Sequence, residues 1–132
     1  MANSANKSLL LKTFNEQLKE LLKDMITIFP DDKEIKKCNH YLYLLIKSNP
    51  VKIISIWKNR VVPYNNIIEK GEVNFFLTKD YENDIAMDSK DTVLSAINRL
   101  RIPMQQLDED NKDKTMRYIQ NLTKLTILYY NC

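Results

Sequence analysis

The sequence predicts an all-α fold, a single-domain helical bundle of about five or six helices with an irregular, aromatic-rich connector. Three observations carry that expectation. Apolar residues recur at steps of three and four over most of the chain, the spacing of one helical face. The four prolines, Pro30, Pro50, Pro63 and Pro103, fall where that spacing breaks, and a helix must end, start or kink there. One glycine among 132 residues leaves no Asn-Gly or Asp-Gly hairpin and no glycine-rich phosphate loop, and the length is that of one domain.

The first helix is set by Leu11, Phe14, Leu18, Leu21, Leu22, Met25, Ile28 and Phe29, which share one face over residues 8–29. Residues 1–7 precede the pattern and are expected to be flexible. Pro30 ends this helix, and Asp31 with Glu34 three residues on predicts a capping box for the second. That helix turns Ile35, Cys38, Leu42, Leu45 and Ile46 to one side. Asn49 and Pro50 read as an N-cap followed by Pro at the first helical position of a third helix, running through Ile53, Ile54, Trp57 and Val61. Residues 8–62 thus predict a three-helix antiparallel front half.

A short helix over residues 63–70, capped by Gly71, follows. Periodicity then fails. Val73, Phe75, Phe76 and Leu77 form an apolar knot, and an acidic stretch with Tyr81 and Ile85 as isolated anchors leads to residue 89, so residues 63–89 predict an extended cover over the bundle. Two C-terminal helices complete residues 90–132. One carries Val93, Leu94, Ile97 and Leu100 up to Pro103. The last starts among residues 108–111, where acidic side chains suit the helix dipole, and continues through Met116, Ile119, Leu122, Leu125 and Tyr129. Residues 51–57 and 126–130 are β-prone by composition alone.

Twenty Lys and Arg against seventeen Asp and Glu leave a net charge of +3, too small to draw polyanions by itself. Residues 1–60 hold eleven basic against six acidic side chains, and residues 61–91 hold three against seven, so any charged partner would be met locally. Lys33, Lys36, Lys37, Lys47, Lys52, Lys58 and Arg60 gather in helices two and three, with Tyr41, Tyr43 and Trp57 nearby for stacking. They supply an alternative reading as a nucleic-acid-associated protein with a Lys-rich face. Sixteen of the twenty basic residues are Lys, which argues against bidentate, sequence-specific base reading. The polar start lacks a signal pattern, no apolar run reaches the ~20 residues of a membrane span, and Cys38 and Cys132 imply no stable disulfide. A cytoplasmic or nuclear location, not secretion, is expected.

No catalytic, metal or cofactor site is predicted. His40 is the sole histidine, Cys38 lies on a different helical face, and zinc needs about four convergent ligands. Asp108, Glu109, Asp110 and Asp113 resemble a calcium loop but lack its central Gly and place Ile119 where a bidentate Glu belongs. Pro30-Asp31 followed by Glu34-Ile-Lys36 looks like fragments of a nuclease motif, yet helix capping accounts for these carboxylates. The expected activity is therefore non-enzymatic: a structural or adaptor protein whose partners are other proteins. Tyr64, Phe75, Phe76 and Tyr81 are the predicted contact residues, with Glu69, Glu72, Asp80, Glu82 and Asp84 as an acidic rim.

The segment Val62-Pro-Tyr-Asn-Asn-Ile-Ile-Glu-Lys-Gly71, leading to Asn74-Phe-Phe-Leu-Thr-Lys-Asp-Tyr81, together with Phe29-Pro-Asp-Asp32 and Asn49-Pro50, resembles a group of small helical proteins of giant nucleocytoplasmic DNA viruses. The resemblance covers about residues 14–81. It implies a small virion or infection-associated protein, with a minor capsid component as its specific form, located in the host cytoplasm or the virion. It carries over no catalytic residue.

Overall fold

Apolar spacing, capping side chains and three prolines place the helices that the computed structural model describes, over residues 2–72 and 103–132. Five α-helices and no strand occur among the described residues, so the chain is all-α. The predicted contacts Phe75, Phe76 and Tyr81, and the helix expected from Val93 to Leu100, lie outside them.

Helix α1 spans Ala2–Ile28 and buries Phe14, Leu18, Leu21, Leu22 and Met25. It begins six residues before the predicted start at residue 8, so the helix takes in residues 2–7. That stretch has no Pro or Gly to break a helix. Lys7 also ties it down, with Nζ 4.7 Å from the Tyr129 ring centroid near the opposite end of the chain.

Helix α2 spans Lys33–Ser48 and is capped by Asp32, not by Asp31. Oδ1 of Asp32 accepts from the backbone N–H of Glu34 at 3.0 Å and of Ile35 at 3.1 Å. The turn after α1 decides the register: Asp32 N–H donates to the Phe29 carbonyl at 3.2 Å, leaving Asp32 extended and Lys33 the first helical residue.

Helix α3 spans Lys52–Arg60, and its N-cap position is Val51, which makes no side-chain cap. The predicted Asn49 cap with Pro50 in the first helical position is thereby corrected. Asn49 N–H completes the last turn of α2 by donating to the Leu45 carbonyl at 2.7 Å, so Asn49 closes one helix instead of opening the next. The Pro50 carbonyl is taken by Nδ2 of Asn15, 3.0 Å away on α1.

A 3-10 turn at Val62–Tyr64 and helix α4 at Asn65–Glu69 occupy the predicted short helix. Gly71 ends it at φ +73°, where its N–H donates to the Ile68 carbonyl and the Glu72 N–H to the Ile67 carbonyl. This paired arrangement is the Schellman motif, whose left-handed residue favours Gly. Helix α5 spans Glu109–Tyr130 and starts in the predicted window, with Asp108 Oδ1 accepting from Asn111 N–H at 2.8 Å.

The helix α1 packs chiefly along α5, with α2 and α3 also against α1 and with α3 and α4 against α5. Lys7 meets Tyr129 while Asp24 meets Lys114 and Tyr118, so α1 and α5 run antiparallel. Asn15 meets Pro50 and Lys19 meets Tyr43, which sets α2 antiparallel to α1 as well. At the centre the Phe14 and Trp57 rings pack edge to face at 5.9 Å, and Trp57 Nε1 donates to Thr123 Oγ1 at 3.0 Å. Phe14, Leu22, Leu42, Ile54, Ile68 and Leu122 are buried around this joint. No described helix is long and apolar enough to cross a membrane.

Candidate docking face on the second helix

Ile35, Cys38, Leu42 and Ile46, at steps of three and four, give α2 one core-facing side. At about 100° per residue the opposite side carries Lys33, Lys36, Lys37, His40, Leu44 and Lys47, all of them exposed. Lysines there solubilise a helix. Leu44 does not, and with 53% of its surface exposed it stands two residues past the fully buried Leu42. Tyr41 and Tyr43 are exposed on its flanks.

Lys36, Asn39, His40, Tyr43, Leu44 and Lys47 line an open groove of about 360 Å³ along this face. From α1, Lys19 places Nζ 5.2 Å from the Tyr43 ring centroid, adding a cation at its edge. Glu34 is the one acidic residue of α2, so the face is basic throughout the turns that follow it. Asn39 Oδ1 is buried without a hydrogen-bond donor among the described residues. Apolar and aromatic surface ringed by cations suits non-covalent docking of a polar, negatively charged partner.

The predicted basic set separates into two groups. Lys33, Lys36 and Lys37 share the outer face of α2 with Lys47. On α3, Lys52 and Arg60 are half-buried, and Lys58 turns its Nζ over the Tyr130 ring of α5 at 4.7 Å. Trp57 is buried by Phe14 and bonded to Thr123, as its register with Ile53 and Ile54 indicates, so it is not at hand for the stacking that the nucleic-acid alternative calls on. Tyr64, predicted as a partner contact, is half-buried and packs against the core, while Glu69 and Glu72 are exposed.

Other polar groups belong to the architecture. Cys38 is a buried thiol on the core side and Cys132 an exposed one, whereas His40 faces outward. Asp32 and Asp108 are engaged as helix caps, and no cluster of three or more His, Cys, Asp or Glu able to hold a metal occurs among the described residues. Tyr118 donates from its hydroxyl to Asp24 Oδ2 at 3.0 Å, and Lys114 Nζ reaches the same oxygen at 3.0 Å. Burial first, then that hydrogen bond and the charges of Asp24 and Glu20, push the Tyr118 phenol up to about 12. Burial raises Tyr129 as well, helped by Tyr130. Both tyrosines lie in the seam between α1 and α5, away from the groove.

Leu44 was not singled out from the sequence, although a signal is there: it falls off the face defined by Ile35, Cys38, Leu42 and Ile46. No protein-family model, no curated protein and no solved structure matches the chain.

Proposed function

We propose that the protein is a non-enzymatic adaptor that acts through protein–protein contacts, with the outer face of α2 as its docking surface. The observation that carries this reading is Leu44, an apolar side chain half in water at the centre of an otherwise basic helix face, with Tyr41 and Tyr43 beside it. Exposed aromatic and aliphatic anchors with a charged rim are the anatomy of a protein contact. The resemblance to giant-virus proteins supports a virion-associated or minor capsid component as the specific form. The test is a photo-crosslinker placed at Leu44 and, as a control, at the exposed Asn121 of α5, in extract from the native source. Protein adducts formed from position 44 and not from position 121 are expected. Equal adducts from both positions, or adducts that nuclease removes, would reverse the reading.

A second reading, nucleic-acid association, is favoured by Lys33, Lys36, Lys37 and Lys47 lying on one face with two exposed tyrosines. It differs in its response to salt. Binding through phosphates weakens steeply between about 50 and 200 mM salt, and apolar docking does not. A gel-shift series with a single-stranded oligonucleotide therefore separates the two.

A further inference from the structure

We infer that the occupant of the α2 face is an acidic amphipathic helix of another protein, laid along α2 with its apolar residues over Tyr43 and Leu44 and its carboxylates against the flanking lysines. This rests on the docking reading above and names its partner by charge and shape. Lys33, Lys36, Lys37 and Lys47, with His40 between them, lie on the outer side of a helix whose one acidic residue is Glu34, and Lys19 of α1 stands at the edge. A partner must therefore bring negative charge. From Lys33 to Lys47 the face runs about 21 Å, long enough for roughly four turns of a second helix presenting anchors at steps of three and four.

Charge also excludes a second copy on a two-fold axis, because an isologous contact would press these lysines against themselves. Nucleic acid satisfies the charge but leaves Leu44 without a role, since phosphates take cations and bases take aromatic faces. An acidic helix with aliphatic anchors uses every exposed group on the face.

The test measures fluorescence anisotropy of labelled probes on the full chain. One probe is a side-chain-stapled helical peptide of about 15 residues with Leu at steps of three and four, Glu flanking that stripe and Ala elsewhere. A second has Ala for each Leu, and a third is an oligothymidylate. Binding of the Leu peptide about tenfold or more tighter than the Ala peptide is expected, with Leu44→Glu removing that preference and Lys36→Glu with Lys47→Glu weakening both peptides. These side chains are exposed, so each variant should melt like the parent. Equal binding of all three probes would show that the face reads charge alone and would overturn the inference. Preference for the Leu peptide undiminished by Leu44→Glu would place the contact elsewhere. Failure of the Leu peptide to bind, with adducts at position 44 retained, would leave the docking reading standing and discard the acidic helix. A gain in peptide affinity on neutralising Glu82, Asp84, Asp88 and Asp91 together would assign the face to the chain's own acidic stretch and discard the separate partner.

Discussion

Thr123 shows what one residue can settle. It is fully buried on α5, yet its hydroxyl is satisfied twice, accepting from Trp57 Nε1 at 3.0 Å and donating to the Ile119 carbonyl at 2.7 Å. A buried hydroxyl left unpaired would cost about 1–3 kcal/mol, so this pair fixes how α3 sits on α5. Tyr118 performs the same service at the edge of the α1–α5 seam and adds a dependence on pH. Its phenol is held up to about 12, against 10.0 when free, and the protonated form is the one that donates to Asp24. Its stabilisation is therefore fully present below the unfolded value and is lost as pH rises through the folded one. Tyr118→Phe should be less stable by about 1 kcal/mol in urea near neutral pH. It should also lack the tyrosine's share of the loss above pH 10, which urea melts of both proteins at about pH 8 and about pH 11 would read.

At the scale of elements, helix ends are decided by which group is left over. Asp31 and Asp32 are interchangeable in sequence, but it is Asp32 that is extended and accepts from the free N–H groups of Glu34 and Ile35. Asp32→Ala should cost about 1 kcal/mol and Asp31→Ala under about 0.5 kcal/mol, compared by denaturant midpoint. Gly71→Ala should cost about 1–2 kcal/mol through its positive φ alone. A Cβ there would meet Gln120 Nε2 at 3.8 Å, an ordinary contact, so a lowered melting temperature would report backbone strain. Thr126 stays helical at the start of the β-prone stretch because, like Thr123 one turn earlier, it is fully buried on α5 and its hydroxyl bonds the carbonyl four residues back. Packing outweighs the small propensity difference.

At the scale of the whole molecule, α1 depends on a partner from the far end of the chain. Phe14, Leu18, Leu21, Leu22 and Met25 are buried in the core that α5 completes with Met116, Ile119, Leu122 and Tyr129. A chain ending at residue 72 should therefore show weak helical circular dichroism and no cooperative melt, whereas the full chain should melt in one step. A sharp transition in the shortened chain would show that α1, α2 and α3 suffice.

The sequence by itself determined the all-α class, the core faces of α1, α2, α3 and α5, the Gly71 stop and the window in which α5 starts. Periodicity and end signals are local, and each is written within about one or two helical turns. Tertiary structure decided the rest. Asp32 rather than Asp31 caps α2 because the turn after Phe29 sets the register, and the early start at Ala2 goes with the contact of Lys7 on Tyr129. The seven-residue basic patch separated because Lys58 finds Tyr130 on α5, far away in sequence. Leu44 shows the same division. Its place off the apolar face was legible along the chain, but only the packing of α2 against α1 and α3 left that side uncovered by any described helix, since burial is a property of what else arrives there.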